Sequence, residues 1–174
     1  AASGLGAEPG SYLLVTLHRP ALVDGPLLGE TMDRLSGVAR ELPVLFPVHP
    51  RTRKMLGGAE YPGVTLIDPV GYLDFLSLVA EAGAVLTDSG GIQEETTYLG
   101  IPCFTLRDNT ERPVTIRAGT NTLLGLDPAR ISDVPELLRG RAAASAESPQ
   151  GGSGGPPLWD GKAAERVADV LSHW

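Results

Sequence analysis

Short apolar runs alternate with segments of helical periodicity over most of the chain. The helical pattern is clearest at residues 27–41 and 72–82, where apolar side chains recur on one face. Further helices are predicted from about residue 51, over 92–99 and over about 161–172. Six apolar runs predict strands, at residues 12–17, 44–48, 64–67, 84–87, 103–106 and 122–124.

This alternation predicts an α/β fold, because a parallel crossover must pass over one face of the sheet. The expected architecture is a Rossmann-like three-layer sandwich with a six-stranded, mostly parallel sheet. Ligands of such sheets bind beyond the carboxyl ends of the strands. Four predicted strands are followed by segments that should converge on one rim: His18-Arg19, His49, residues 68–75 and Ser89-Gly90-Gly91.

Residues 86–113, with the sequence LTDSGGIQEETTYLGIPCFTLRDNTERP, carry the strongest chemical signal. A strand is followed by Ser89, Gly90 and Gly91, and then by a helix whose first turn presents free backbone N–H groups. A phosphate fits at such a helix terminus, with the Ser89 hydroxyl and the Arg112 guanidinium as further donors. An ordinary capped helix after a strand is the alternative that Ser-Gly-Gly alone leaves open.

Charge and composition limit the kinds of partner. A formal net charge of −7 and the lack of a basic stripe argue against nucleic-acid binding, so an anionic ligand must be held by a local site. No apolar run approaches the roughly 20 residues of a membrane span, and no signal-peptide pattern is visible. We therefore expect a cytoplasmic protein without a membrane partner. The single Cys103 is expected to be a buried structural thiol, and we expect no metal and no cofactor.

The segment at 86–113 resembles the nucleotide-binding signature of the non-hydrolysing UDP-N-acetylglucosamine 2-epimerases, which carry a near-identical DSGGIQEE followed by TERP. The resemblance extends to VTLHR at 15–19, FPVHP at 46–50 and WDGKA at 159–163. It implies the C-terminal half of a two-domain, GT-B-like fold. Residues 1–10 would then be an interdomain linker and 11–174 the UDP-binding domain, with a mobile Gly/Pro/Ser-rich loop at 141–157 and a last helix, within 161–174, crossing to the missing N-terminal domain.

The resemblance also implies roles for individual residues. His18 is the expected catalytic residue, because the family places a His-Arg pair here and its histidine approaches the UDP. Arg19 either orients the site through a carboxylate or lies at the surface. The family commonly continues His-Arg-Ala-Glu-Asn, whereas this chain reads His-Arg-Pro-Ala-Leu, which puts the contact role of this loop in doubt. The expected substrate-binding residues are Arg19, Val70, Phe75, Ser89, Gly90, Gly91, Glu95 and Arg112.

Within that set, Glu95 is expected to bind the ribose hydroxyls, while Glu94 is expected to be a cap or packing partner. Backbone groups near Val70 and the ring of Phe75 would hold the uracil, although a core position on an amphipathic helix explains Phe75 nearly as well. His49 matches an element that borders a second, regulatory nucleotide-sugar site in some bacterial members.

The implied reaction interconverts UDP-GlcNAc and UDP-ManNAc by elimination and re-addition of UDP, in polysaccharide biosynthesis. The family supplies its key carboxylates from the N-terminal domain, so this chain alone is expected to bind UDP weakly and not to epimerise. The expected partners are UDP or a UDP-N-acetylhexosamine and the missing N-terminal domain, with a homodimer at full length. The alternatives are a GT-B glycosyltransferase domain, a non-catalytic nucleotide-sugar binding module and a hydrolysing epimerase.

Overall fold

The computed structural model describes residues 2–147 and 155–174. Six strands form one sheet in the order β3-β2-β1-β4-β5-β6, and all five pairings between them are parallel. This order confirms the Rossmann-like α/β prediction, with a sheet that is wholly parallel. The strands are β1 (Leu13–Thr16), β2 (Val44–Pro47), β3 (Val64–Ile67), β4 (Ala84–Thr87), β5 (Cys103–Thr105) and β6 (Asn121–Leu123).

Eight α-helices and two 3-10 helices, the latter at Ala2–Leu5 and Pro128–Asp133, are described around this sheet. Most predicted boundaries hold within one or two residues, and the largest change at a helix end is in α2, where the amides of Glu41 and Leu42 form a separate closing turn on the carbonyl of Val38. The α-helices are α1 (Pro20–Val23), α2 (Leu27–Val38), α3 (Pro50–Met55), α4 (Tyr72–Glu81), α5 (Gly90–Leu99), α6 (Pro113–Arg117), α7 (Val134–Glu147) and α8 (Ala163–Ser172).

The two faces of the sheet carry separate apolar cores, which confirms the three layers. On one face, Leu13, Val15 and Phe46 pack with α2 and with the 3-10 helix at Pro128–Asp133. On the other face, Leu14 and Val85 pack with Leu78 and Val79 of α4. Alternate residues of β1 thus point to opposite faces, and burial on both sides explains why the strand is apolar throughout.

Two helices correct the sequence-based prediction. Helix α5 begins at Gly90, so Gly90 and Gly91 lie in its first turn and not in a turn before it. Helix α7 runs to Glu147, seven residues into the stretch 141–157 that was predicted as a loop. Residues 142–146 read Ala-Ala-Ala-Ser-Ala, and alanine has the highest helix propensity of all residues. Residues 148–154 of the predicted loop lie outside the described part of the chain.

The first and last segments differ in their packing. Residues before β1 contact the domain, because Ala7 is buried and the amide of Gly10 donates to the Glu81 carbonyl at 2.7 Å. Helix α8, in contrast, has no buried residue, and its apolar side chains Val167, Val170 and Leu171 are 58%, 60% and 70% exposed. None of the helices in the described ranges is long and apolar enough to cross a membrane.

Candidate functional site

The loops after β1 and β4 meet at the point where the strand order changes direction. Strands β1 and β4 are neighbours in the sheet, and their register pairs Thr16 with Thr87. Strand β1 has β2 on its other side and β4 has β5 on its other side, so the chain departs in opposite directions from this position. A crevice opens at such a switch point, and ligands of open parallel sheets bind there.

Asp88 joins the two loops. Its carboxylate is fully buried and accepts hydrogen bonds from the backbone amides of His18, at 3.0 Å, and Arg19, at 2.8 Å. The other carboxylate oxygen lies 2.8 Å from Nδ1 of the His18 ring, whose side chain is 58% exposed. Asp88 therefore fixes both the backbone and the imidazole of the expected catalytic residue.

The sequence analysis did not select Asp88, although it opens the signature segment. The contact partners are 69 and 70 residues away in the chain, so only the adjacency of β1 and β4 reveals the role. Arg19, for which two roles were open, donates from Nε to the backbone carbonyl of Asp88 at 3.0 Å. Its guanidinium thus braces the loop after β4 as well.

The residues after Arg19 form a short helix of their own. Pro20 occupies the first turn of α1, where its missing N–H costs no intrahelical hydrogen bond. Leu22 and Val23 are buried in the core beside α2. Where the family commonly has Ala-Glu-Asn, this chain therefore has the start of a short helix that packs into the core. Of this segment, His18 and Arg19 are the residues that lie at the site.

The N-terminus of α5 has the features of an anion site. Ser89 is the N-cap residue in an extended conformation, and its hydroxyl caps no backbone amide. The first turn carries no acidic residue, so nothing in the helix itself neutralises the positive end of the dipole. A Cβ added at Gly91 would meet no atom within 4 Å, so the approach to these backbone amides is open.

Helix α5 ends at Leu99, as predicted, and Gly100 is its C-cap residue. Gly100 adopts a left-handed conformation with φ of 75°, which favours glycine, and its amide bonds back to carbonyls of the last turn. Helix α5 therefore has ten residues, enough to develop the dipole that its N-terminus presents.

Arg112, the expected phosphate ligand, is already paired. Its Nε lies 2.8 Å from the Glu94 carboxylate, and both side chains are about two-fifths exposed, at 41% and 43%. Glu94 is thus a partner of Arg112 and not a helix cap. An anion bound over α5 must compete with Glu94 for this guanidinium.

A buried polar network holds the Arg112 loop against α5. The Oε1 atom of fully buried Gln93 accepts from the Thr110 hydroxyl, at 2.5 Å, and from Asn121 Nδ2, at 3.0 Å. The Gln93 amide nitrogen donates to the Ser89 carbonyl at 3.1 Å, and the amide of Arg112 donates to the Thr110 hydroxyl at 3.0 Å. Gln93 therefore links the helix N-cap to the loop that carries Arg112.

A second arginine, Arg107, lies beside this loop and is buried. Arg107 is 7% exposed and binds both carboxylate oxygens of Glu111, at 2.9 Å and 2.7 Å. The hydrogen bonds from Arg107 lower the pKa of Glu111 to about 2. Glu111 also lies near the helix terminus, since its Oε2 would be 3.7 Å from a Cβ at Gly90. The sequence analysis did not identify this ion pair.

Glu95 faces a separate apolar cavity of about 380 Å³ beside α4 and α5, lined by Tyr72, Leu76, Glu94, Glu95, Tyr98, Leu99 and Trp159. The Tyr72 hydroxyl donates to Glu95 Oε1 at 3.2 Å, and the negative charge of Glu95 raises the pKa of Tyr72. Glu95 Oε2 is buried and has no hydrogen-bond partner among the described residues. A buried acceptor without a donor is costly, so this atom is suited to a ligand hydroxyl.

The residues expected at the uracil lie apart from this cavity. Phe75 is half-buried and packs against the apolar core on the α4 side of the sheet. Val70 is exposed and lines a shallow depression with Leu5 and Asp74. Of the sequence-predicted substrate-binding residues, only Glu95 lines the cavity beside α4 and α5.

His49 caps a helix. Its Nδ1 accepts a hydrogen bond from the backbone amide of Arg51 at 3.2 Å, at the N-terminus of α3. Within the part of the chain that the structure describes, no group of three or more His, Cys, Asp or Glu side chains could hold a metal ion.

The sheet order, the switch-point crevice and the open N-terminus of α5 define a Rossmann-like ligand-binding domain. A family model described as UDP-N-acetylglucosamine 2-epimerase matches residues 2–172. The chain belongs to this family.

Relatives and solved structures agree with this assignment. The UDP-N-acetylglucosamine 2-epimerase of Methanocaldococcus jannaschii is 34% identical over 93% of this chain and 44% of its own length, and that of Escherichia coli K12 is 37% identical over 92% and 44%. The solved structure of the M. jannaschii enzyme superposes with a TM-score of 0.76 at 32% identity, over 98% of this chain and 48% of the other. A second structure of that enzyme, in complex with UDP-GlcNAc and UDP, gives a TM-score of 0.71 at 31% identity, over 99% of this chain and 48% of the other. The chain thus spans less than half the length of these relatives.

Proposed function

We propose that this chain is the UDP-binding half of an enzyme that interconverts UDP-GlcNAc and UDP-ManNAc. The observation that carries the proposal is the junction of His18, the open α5 N-terminus and the Arg112 loop at the switch point of the sheet, in a chain of the epimerase family. The M. jannaschii relative in complex with UDP-GlcNAc and UDP supports the choice of nucleotide.

The diphosphate occupies the α5 N-terminus in this proposal. Backbone amides at Gly90 and Gly91, with the Ser89 hydroxyl, donate to its oxygens, and the helix dipole favours its charge. His18 approaches from the loop after β1, and Arg112 exchanges Glu94 for a phosphate oxygen. The guanidinium fork suits either partner, because carboxylate and phosphate oxygens have similar spacing.

Glu95 binds the ribose in this proposal. Its unpartnered Oε2 accepts a hydrogen bond from a ribose hydroxyl, while Oε1 keeps the bond from Tyr72. The uracil extends toward the loop that carries Val70. Its proposed contacts are backbone groups of that loop and the exposed part of the Phe75 ring. Arg19 contributes by fixing the loop, since its Nε is bound to the Asp88 carbonyl.

The proposed reaction also needs a general base at C2 of the sugar. In the elimination, a base removes the C2 proton, the C–H electron pair forms the C1–C2 double bond, and the C1–O pair leaves with UDP. Re-addition reverses these steps after protonation on the opposite face. His18, the α5 amides and Arg112 stabilise the charge that develops on the leaving diphosphate, while the base comes from an N-terminal domain of the same protein.

The exposed apolar face of α8 is the proposed contact with that domain. Val170 and Leu171 follow Val167 by three and four residues, so the three side chains lie on one side of the helix. Residues 1–10 connect the two domains. The full-length protein is proposed to be a cytoplasmic homodimer that acts on a UDP-N-acetylhexosamine.

Calorimetric titration tests the proposal. UDP should bind saturably and weakly, uridine should bind less well, and UMP should fall between them because it lacks the second phosphate. Arg112→Ala and Glu95→Ala should each weaken UDP binding, whereas Arg117→Ala, an exposed arginine in the last turn of α6, should not. Failure of UDP to bind up to millimolar concentrations, or equal binding by all variants, would contradict the proposed site.

UDP binding alone does not distinguish an epimerase half from a non-catalytic binding module or a glycosyltransferase domain. A non-catalytic binding module would bind UDP in the same way, but the coding sequence upstream of Ala1 would then lack the carboxylates of an epimerase N-terminal domain. A glycosyltransferase has only the fold in its favour: the structure of the glycosyltransferase of kitacinnamycin superposes with a TM-score of 0.60 at 17% identity.

A further inference from the structure

We propose that Asp88 is a positioning residue that holds His18 in the tautomer with hydrogen on Nδ1, leaving Nε2 as the ring nitrogen available to the diphosphate. The tautomer itself follows from the contacts in this chain. Its consequence for UDP rests on the proposed function.

The geometry of Asp88 leaves little freedom for its partners. One oxygen, Oδ2, accepts from the amides of His18 and Arg19 at 3.0 Å and 2.8 Å. The other, Oδ1, lies 2.8 Å from His18 Nδ1 and accepts a second, longer hydrogen bond from the His18 amide at 3.3 Å. An ionised carboxylate only accepts hydrogen bonds, so a neutral His18 must carry its hydrogen on Nδ1.

The surroundings of Asp88 suit a hydrogen-bond acceptor. Asp88 is fully buried, and its oxygens accept from the backbone N–H groups of His18 and Arg19. The cation of Arg107 is also close enough to interact with it. Removing the carboxylate would leave these donors without an acceptor, which is costly in a buried position.

This tautomer defines where the proton of His18 moves. With Nδ1–H committed to Asp88, a proton gained or lost by the ring passes through Nε2. The protonated ring, which Asp88 stabilises through Nδ1–H, can donate from Nε2 to the diphosphate oxygen as the C1–O electron pair moves onto it, and a full transfer of the proton leaves the neutral Nδ1–H tautomer. A buried aspartate that orients a histidine acts in the same way in the serine-protease triad.

Replacing Asp88 with asparagine should invert the tautomer without changing the shape of the side chain. The two backbone amides need an acceptor at the Oδ2 position, so the single amide oxygen must occupy it. The NH₂ group then takes the Oδ1 position and donates to Nδ1 of His18. A neutral imidazole that accepts at Nδ1 carries its hydrogen on Nε2.

Nitrogen-15 NMR of the ligand-free chain, at alkaline pH where the imidazoles are neutral, reads the tautomer directly. The chain has three histidines, and His49 is an internal reference of opposite type, because its Nδ1 accepts from the Arg51 amide. We expect hydrogen on Nδ1 of His18 in the wild type, and on Nε2 in Asp88→Asn. The control Asp33→Asn, at an exposed position of α2, should match the wild type.

Hydrogen on Nε2 of His18 in the wild type, or an unchanged tautomer in a folded Asp88→Asn, would overturn the proposal. If Asp88→Asn does not fold, the wild-type spectrum still decides, because the tautomer is a property of the unmodified chain. Asp88→Asn should weaken UDP binding by about tenfold, because the neutral amide no longer makes a charge-assisted hydrogen bond to the protonated His18 ring.

The two claims fail separately. A wild-type chain that shows the Nδ1–H tautomer but binds no UDP refutes the proposed function and leaves the Asp88–His18 pairing intact. A wild type that binds UDP and an Asp88→Asn that binds it equally well, with the tautomer inverted, refutes the positioning role and leaves the nucleotide site intact.

Discussion

The guanidinium of Arg112 lies 2.8 Å from the carboxylate of Glu94, so the cation expected at the diphosphate is held by a carboxylate of α5, the helix whose N-terminus is the proposed phosphate site. In the proposed complex, Glu94 would compete with the phosphate for Arg112 and would also repel it. The pair is about two-fifths exposed, and such ion pairs contribute about 0.2–1 kcal/mol. The competition is therefore modest.

The Glu94–Arg112 pair predicts a gain of affinity. Glu94→Gln should strengthen UDP binding by roughly two- to fivefold, because it frees Arg112 and removes a negative charge near the phosphates. Titration calorimetry with the control Glu136→Gln, in the first turn of α7, checks this. Weaker UDP binding by Glu94→Gln would show that Glu94 supports the ligand.

The Gln93 network predicts a loss of stability when its acceptor is removed. Gln93→Leu should lower the free energy of unfolding by about 2–4 kcal/mol, because buried partners in Thr110 and Asn121 lose their acceptor. Gln93→Glu should also be destabilised, because its second carboxylate oxygen would face the Ser89 carbonyl in a buried position. Urea unfolding measures both losses, and a Gln93→Leu variant as stable as the wild type would contradict the network.

The Arg107–Glu111 pair predicts an acid-dependent contribution. The pKa of Glu111 is lowered from an ordinary 4.5 to about 2, so its stabilisation is present above pH 4.5 and is lost as the pH falls to about 2. Glu111→Gln should therefore melt below the wild type at neutral pH, and the gap should close toward pH 2. A gap that stays constant across this range would exclude the pair as its source.

The apolar face of α8 predicts a difference between the isolated chain and the full-length protein. Leu171→Lys should change the stability of the isolated chain by less than about 0.5 kcal/mol, because this side chain is exposed. The same change should lower the melting temperature of the full-length protein if α8 packs on a second domain. Leu35→Ala, on the buried side of α2, should lower the free energy of unfolding by about 2–5 kcal/mol in the isolated chain and in the full-length protein.

The sequence predicted the strands, because short apolar runs are local signals. It missed helix α7, whose alanine-rich last turns were interpreted as a loop. It also missed the roles of Asp88, Gln93 and Arg107. Asp88 acts on a loop about 70 residues away, and Gln93 contacts Asn121 at a separation of 28, so these roles depend on which strands are neighbours.

The most direct test of the account is an amide NMR titration of the chain with UDP. The account predicts saturable shifts that are largest at Ser89, Gly90 and Gly91, with His18 and Arg112 next, and a loss of these shifts in Arg112→Ala. Shifts that concentrate instead around His49 and α3, or a spectrum unchanged at millimolar UDP, would contradict a nucleotide site at the N-terminus of α5.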